Sequence, residues 1–197
     1  ELYGADNYGY SGNRNLEQEQ SKFSEANFDI NLNTKSKLVL SFFENKINNL
    51  IEYTDSTYKN TSGVLKQSGI EISYELYDKF NQLTFFGSSL SSKKTNGSSQ
   101  LRRPEWFGGM NYNRVISKNL ELTTVYKFVG EQFDIHNSNF STITMPEKHL
   151  LDLGITRNFY NLKVGFQINN LLNEKYESPH GFSQNDRVLN FVLKNNF

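Results

Sequence analysis

The chain has 197 residues, and its 21 Lys and Arg residues balance 21 Asp and Glu residues, so its formal net charge is zero. A neutral chain lacks the basic excess that phosphate neutralisation requires, which argues against a nucleic-acid partner. The absence of cysteine excludes structural disulfides, thiolate zinc sites and cysteine nucleophiles.

Period-two alternation of apolar and polar residues recurs along the whole chain, and helical periodicity is nearly absent. In the clearest run, Ile70, Ile72, Tyr74 and Leu76 alternate with Glu71, Ser73 and Glu75. Because neighbouring residues of a strand point to opposite sides of a sheet, each such run predicts a strand with one apolar and one polar face. The predicted strands lie near residues 21–32, 37–51, 66–77, 83–91, 106–116, 120–129, 149–158, 161–169 and 186–197.

The connections between these strands alternate in length. The short connections, rich in Asn, Asp, Ser and Lys as tight hairpins are, lie at 33–36, 78–82, 117–119 and 158–161. The long connections are polar and Gly-, Ser- and Asn-rich, and lie at 52–65, 92–105, 130–148 and 170–185. An antiparallel meander with short turns at one end and long loops at the other is typical of an outer-membrane β-barrel.

Two further features favour a membrane barrel over a soluble antiparallel sheet. Strands of nine to twelve residues match a tilted bilayer crossing, and aromatic residues such as Trp106 and Phe128 occur at strand ends, where an interfacial girdle lies. The longest apolar stretch, 38–43, is far too short for a transmembrane helix. A soluble carbohydrate-binding β-domain remains the non-membrane alternative, and membrane partitioning distinguishes the two.

Several segments resemble the motifs of TonB-dependent outer-membrane receptors, in the family's order. Ile168–Tyr176 is similar to the "N-L-F/L-N/D-x-x-Y" segment, and Arg187–Phe197 resembles the carboxy-terminal strand that serves as the assembly signal. Asn15–Ser21 resembles "N-L-x-P-E-x-S", with Gln18 where proline is usual. Further matches are Lys46–Ile51 to "I-x-x-L-I", Gly69–Glu71 to "G-x-E" and Arg102–Pro104 to "R-R/x-P".

The resemblance implies that residues 1–197 are the carboxy-terminal portion of a receptor β-barrel in the bacterial outer membrane, with about nine of its 22 strands. The plug domain and the segment that binds TonB would lie in an amino-terminal region outside this chain. Nine strands cannot close so wide a barrel, so we expect no function from this portion alone. The implied partners are membrane lipid, TonB and the barrel assembly machinery, which would read Leu193 and Phe197 as the assembly signal.

Within that family, the sequence resembles the cobalamin receptor type most closely, through the segment Tyr176–Phe182. The implied function is energy-coupled uptake of a scarce nutrient complex, with cobalamin the first expectation. A ferric-siderophore or haem receptor is the alternative within active transport. A passive porin-like or adhesive barrel is the alternative outside it.

The candidate ligand-binding residues lie in the long loops. Arg102 and Arg103 could form a positive rim for an anionic ligand, or pair with lipid headgroups or a nearby carboxylate. His136 and His180 could ligate a haem or corrinoid metal, or could be solvated loop histidines.

Two further loop residues, Asp134 and Tyr176, complete the set of candidate contacts. Asp134 and Asp55 could instead suggest calcium, but no "D-x-D-x-D" run supports a calcium loop. No nucleophile elbow surrounds any serine, so the sequence predicts neither catalytic residues nor a cofactor.

Overall fold

The computed structural model describes residues 4, 11–54 and 57–195, and the side chain of Thr54 lies outside that description. Asp55 and Phe197, both named above, lie outside the described residues. Within the described ranges, no helix has the length and apolar character needed to cross a membrane. The elements are β1 Gln20–Asn33, β2 Ser36–Asn48, β3 Ile51–Thr54, β4 Thr57–Asn60, β5 Val64–Tyr77, β6 Asn81–Lys94, β7 Trp106–Ser117, β8 Leu120–Val129, β9 Gln132–Ile135, β10 Thr142–Met145, β11 Lys148–Phe159, β12 Leu162–Asn169 and β13 Val188–Asn195.

Nine strands form one antiparallel sheet in the order β1-β2-β5-β6-β7-β8-β11-β12-β13. Each of these strands pairs with the next long strand along the chain, so the sheet is an up-and-down meander. All nine predicted strands are therefore confirmed. Strands β5 and β6 run beyond their predicted bounds because the neighbouring strands continue to pair with them there, at Val64 and Leu65 in β5 and at polar residues such as Lys93 and Lys94 in β6.

Two short hairpins inside the long loops are absent from the prediction. Strand β3 pairs with β4, and β9 pairs with β10, each over four residues. The prediction also ran the second strand to residue 51, whereas β2 ends at Asn48 and Asn49 follows with a φ of 56°. That conformation turns the chain away from the sheet, and four-residue strands are too short for period-two alternation to reveal them.

The register keeps the two faces of the sheet chemically distinct. Phe28, Leu40 and Ile72 lie opposite one another across three strands. On the other face, Asn27 lies opposite Ser41, which lies opposite Glu71. A slip of one residue would exchange the faces, so the alternation seen in each strand is also the pattern of the assembled sheet.

The apolar face is exposed instead of packed into a core. Among the described residues only two hydrophobic side chains are buried, those of Leu65 and Met145. Large side chains such as Ile72 and Phe166 remain 46% and 43% exposed. Strands whose backbone groups are paired and whose apolar side chains face outward suit hydrocarbon as the solvent.

The four short turns lie at one end of the sheet, at 34–35, 78–80, 118–119 and 160–161, and the four long loops lie at the other. In the turn after β5, the Asp78 carboxylate accepts hydrogen bonds from the backbone N–H groups of Phe80 and Asn81, at 2.7 and 2.8 Å. Together with the Asn81 side-chain amide, these bonds hold the pKa of Asp78 below its usual value. The turn is thus fixed by an ionised side chain, as Asx turns are.

Candidate functional site

Three long loops meet at one carboxylate at the long-loop end of the sheet. Asp134, in strand β9 of the long loop between β8 and β11, accepts a hydrogen bond from Arg102 Nε at 2.7 Å and one from its neighbour Ile135 N–H at 2.8 Å, both through Oδ1. Its Oδ2 accepts the backbone N–H of His180 at 2.9 Å. The loops 95–105, 130–147 and 170–187 are therefore joined through a single side chain, which we call the Asp134 junction (Arg102, Asp134, Ile135 and His180).

The Asp134 carboxylate is fully buried, with 0% of its side chain exposed. Burial alone would raise its pKa, but the hydrogen bonds from His180 N–H, Arg102 and Ile135 N–H outweigh this and hold the pKa below its usual value. The group is therefore ionised at neutral pH, which strengthens each of its hydrogen bonds. The backbone N–H of Arg102 also donates to the carbonyl of Phe133 at 2.7 Å, and Arg102 adopts a φ of 59° to do so.

The junction shows where two of the candidate residues lie. Asp134 was predicted to contact a ligand; its carboxylate is fully buried and accepts three hydrogen bonds from the protein. Arg102 pairs with this nearby carboxylate, which was the structural alternative considered for it. Its neighbour Arg103 is exposed and makes no ion pair within the described part of the chain, so it is the free cation of the pair.

Arg103 lines a cavity of about 380 Å³, as does Phe133, the residue before Asp134. Trp106 and Phe128 are also among the residues that line it. So do three carboxylates, Glu105, Glu131 and Glu147, which outnumber the one arginine. A site of this composition can stack planar groups and hold cationic or hydrogen-bonding groups better than it can hold a bare anion.

The two loop histidines lie side by side. The ring centres of His136 and His180 are 4.8 Å apart. His180 Nδ1 lies 2.9 Å from Glu177 Oε2, and His136 Nδ1 lies 3.0 Å from Ser138 Oγ. Two imidazoles on opposite sides of one metal would have ring centres about 6 Å apart, given metal–nitrogen bonds of about 2 Å, so this pair does not enclose a macrocycle between its rings. No group of three or more metal-ligating side chains forms within the described ranges.

Tyr176 lies on the same loop as His180 but has a different neighbour. The ammonium group of Lys148 is 4.8 Å from the centre of the Tyr176 ring, within cation–π range. The Tyr176 carbonyl accepts the Gln184 N–H at 3.0 Å, and Glu177 and Ser183 form an isolated bridge. The ring is therefore held at the base of a folded loop and is only partly exposed.

Asn170 organises this last loop, a role that residue-type reasoning did not assign. Its Nδ2 donates to the carbonyl oxygens of Glu174 and Asn185, at 2.9 and 3.3 Å, and its Oδ1 accepts the Glu174 N–H at 2.9 Å. The Asn170 N–H donates to Asp152 Oδ1 at 2.8 Å, which ties the loop to β11. Asn170 is 7% exposed with a φ of 51°, a conformation that asparagine tolerates. The family motif at 168–176 could have identified this residue, because Asn170 is the asparagine with which its pattern "N-L-F/L-N/D-x-x-Y" begins.

The segment before β1 holds the first long loop in a similar way. Asn60, in β4, accepts the Glu17 N–H through its Oδ1 at 2.7 Å and donates to the Glu17 carbonyl at 2.9 Å. The carboxylate of Glu19 accepts the Ile51 N–H at 2.6 Å. Lys94, at the end of β6, pairs with Glu52 in the same loop at 2.6 Å. The motif at 15–21 therefore acts by fixing the β3–β4 hairpin against the sheet.

The proposed assembly residues lie on the edge strand. Leu193 is 61% exposed on the apolar face of β13 and lies opposite Val164. Phe197 lies beyond the described residues.

The sequence matches one family model, described as TonB dependent receptor-like, beta-barrel, over residues 1–171. No curated protein sequence matches significantly.

Solved structures resemble the described sheet closely in fold at low sequence identity. The siderophore receptor PirA from Acinetobacter baumannii is 15% identical, with a TM-score of 0.81 over 95% of this chain and 33% of that chain. A mutant of the ferric enterobactin receptor PfeA from Pseudomonas aeruginosa is 16% identical, with a TM-score of 0.80 over 95% and 32%. The ferripyoverdine receptor of the P. aeruginosa outer membrane is 16% identical, with a TM-score of 0.75 over 91% and 27%. The chain thus spans about a third of the length of these structures or less.

Proposed function

The chain belongs to the family of TonB-dependent receptor β-barrels of the bacterial outer membrane, and from this premise we propose that it forms part of a receptor for energy-coupled uptake of a ferric siderophore. The observation that carries the proposal is the long-loop end of the sheet, where three loops are tied into one rim at Asp134 and the residues next to Arg102 and Asp134, Arg103 and Phe133, line a cavity. A rim held by buried hydrogen bonds presents ligand contacts at low cost in ordering entropy.

Iron chelates are preferred over cobalamin as the ligand. The three solved structures described above are receptors for a siderophore, for ferric enterobactin and for ferripyoverdine by their own names, which makes this class of ligand the better starting hypothesis. Phe133, which neighbours Asp134 and lines the cavity, supplies an aromatic residue that suits a planar chelating group.

We assign different roles to the candidate residues within this function. Arg103, the free cation at the cavity wall, and Tyr176 and the pair His136 and His180 on the neighbouring loops are proposed ligand contacts. Arg102 and Asp134 position the loops.

Uptake by cells that express the complete receptor tests the proposal. In a host that lacks its own iron-chelate and cobalamin receptors, we expect the receptor to import ⁵⁵Fe from at least one member of a siderophore panel and to import no labelled cobalamin. Import should cease when TonB is deleted. Cobalamin import without iron import would overturn the ligand assignment, and import that persists without TonB would overturn active transport in favour of a passive barrel.

Substitution of Arg103 by alanine tests the site. We expect weaker binding of the imported chelate by Arg103→Ala, with normal surface expression. Arg114→Ala is the matched control, because Arg114 lies toward the short-turn end of β7, away from the loops. Equal affinity in wild type and Arg103→Ala would remove Arg103 from the ligand contacts.

A further inference from the structure

Four lysines form a continuous row across four adjacent strands. Lys22 of β1 lies directly opposite Lys46 of β2. Lys46 lies opposite Lys66 of β5, and Lys66 lies opposite Lys93 of β6. With strands about 4.8 Å apart, this lysine row (Lys22, Lys46, Lys66 and Lys93) extends about 14 Å across the sheet.

The lysine row lies on the membrane-facing side of the sheet. Each lysine shares the parity of the apolar residues of its own strand, as Lys66 does with Ile70 and Ile72 in β5. Each also lies within a few residues of the end of its strand that is on the long-loop side of the sheet. Long loops of such barrels are extracellular, so the row is at the level of the outer leaflet.

The residues between the lysine row and the apolar band are mainly hydroxyl side chains. The next row toward the membrane centre contains Ser24, Glu44, Ser68 and Ser91, which lie opposite one another in that order. The row after that begins the apolar band with Phe42 and Ile70. Lysine and serine donors therefore face outward together just above the hydrocarbon boundary, at the depth of lipid headgroups.

The charge of the lysine row is compensated only in part by the protein, through one carboxylate, Glu44, which interacts electrostatically with Lys46, Lys66 and Lys22. Lys46 pairs with Glu44 at 2.6 Å, and its side chain is 44% exposed. The exposed side chains of Lys22, Lys66 and Lys93 make no ion pair or side-chain hydrogen bond within the described part of the chain. Like charges placed directly opposite across a sheet are destabilising, and an external anion would offset the positive charge that the single carboxylate of Glu44 leaves unbalanced.

We propose that the lysine row is a binding site for the phosphorylated headgroup of an outer-leaflet lipid. The four ammonium groups would contact the phosphates, and the hydroxyls of Ser24, Ser68 and Ser91 would donate hydrogen bonds below them. The acyl chains would lie against the apolar residues beneath, such as Phe42 and Ile70. Lipid is the assigned source of the phosphate because the row is continuous with the membrane-facing apolar band and is on the opposite face from the lumen.

The test measures lipid binding to the complete receptor in phosphatidylcholine nanodiscs by native mass spectrometry. The probes are lipid A with both phosphates, the same lipid dephosphorylated, and inorganic phosphate. The row variant is Lys66→Gln/Lys93→Gln. The control variant is Lys35→Gln/Lys118→Gln, which removes the same charge from two short turns at the opposite end of the sheet.

We expect the phosphorylated lipid to bind wild type and the control variant equally and to bind the row variant about 20- to 30-fold more weakly, at about 5-fold per lysine. Added salt should weaken binding to wild type more than binding to the row variant. Lys66→Arg/Lys93→Arg should retain binding. Because heat-modifiable electrophoretic mobility reports barrel folding for every variant, weak binding by a misfolded sample is distinguished from loss of the site.

Three results would overturn the proposal. The first is equal affinity of the row variant and wild type for the phosphorylated lipid. The second is equal binding of the phosphorylated and dephosphorylated lipids. The third is inorganic phosphate that binds the row as tightly as the lipid does, because the site would then serve a free anion.

Discussion

The guanidinium of Arg102 and the carboxylate of Asp134, 32 residues apart in the chain, meet at 2.7 Å with the carboxylate fully buried and the arginine side chain 57% exposed. Loss of this pair would leave the buried carboxylate with an uncompensated charge, which is energetically costly, whereas the exposed arginine would be solvated by water at little cost. The consequences of breaking the pair are therefore expected in the loops around Asp134.

Arg102→Ala is expected to loosen the loops without unfolding the barrel. The substitution leaves Asp134 with two backbone donors, and we expect a cost of about 1–2 kcal/mol because the exposed side of the pair is screened by solvent. Hydrogen–deuterium exchange should show faster exchange in 130–137 and 178–182. Arg103→Ala removes an adjacent arginine that lacks an ion pair within the described residues, so it serves as the matched control and should leave exchange unchanged. Equal exchange in both variants would contradict the positioning role of Arg102.

Acid should release the same loops. The pKa of Asp134 is held below its usual value in the folded protein, so its contribution is complete above that usual value and is lost as the pH falls through the folded pKa. A spin label at position 140, on an exposed loop residue, should therefore become more mobile only below about pH 4. In Asp134→Asn the label should already be mobile at pH 7, with little further change on acidification. A wild-type transition near pH 6 would instead assign the change to a histidine.

A charge on the apolar face should destabilise the membrane-embedded sheet. Phe166 of β12 lies opposite Ile155 on one side and Phe191 on the other. We expect Phe166→Arg to lower the free energy of unfolding by about 2–4 kcal/mol in lipid vesicles. Gln167→Arg, one residue further along on the polar face, should change it far less. A larger loss for Gln167→Arg than for Phe166→Arg would mean that the faces are reversed.

The loop after β12 should depend on Asn170. Alanine removes the three side-chain hydrogen bonds to Glu174 and Asn185 and strains the positive φ, at a combined cost of about 2–3 kcal/mol. Asn170→Gly also loses the side-chain hydrogen bonds but avoids the strain at positive φ, so its stability should lie between that of wild type and that of Asn170→Ala. Protease cleavage within 171–187 measures the effect. Asn161→Ala, at an exposed turn on the opposite end, is the control that should resist cleavage as wild type does.

Close packing of aromatic rings over glycine on the polar face gives a further expectation. A side chain at Gly69 would meet the backbone oxygen of Ser89 at 2.5 Å and the Phe43 ring at 2.6 Å. At Gly154 the nearest atom, Thr123 Cβ, is 3.8 Å away. We therefore expect Gly69→Ala to lower the free energy of unfolding by about 1–3 kcal/mol and Gly154→Ala to have little effect. Chemical unfolding in lipid vesicles measures the free energy of unfolding of both variants. Similar losses for Gly69→Ala and Gly154→Ala would show that the sheet around Gly69 adjusts freely to the added methyl group.

The sequence by itself determined the nine long strands, their two faces and the alternation of short turns with long loops. These features are local, because period-two alternation and turn residues such as Asp78 act within a few residues of their own position. The family motifs also pointed to the right segments, since Asn170 and Glu19 lie within them and hold the loops that follow. The hairpins β3–β4 and β9–β10 were missed because four residues carry too little periodicity.

Only the tertiary structure decided which distant residues meet. From the sequence, Asp134 was expected to be an exposed loop residue. In the structure Arg102 and His180, from two other loops, contact its carboxylate, which is buried. The lysine row is likewise invisible in any one strand, because Lys22, Lys46, Lys66 and Lys93 become neighbours only through the register of three strand pairs. Register is fixed by burial, pairing and loop length across the whole sheet, whereas each strand's own sequence specifies only which residues share a face.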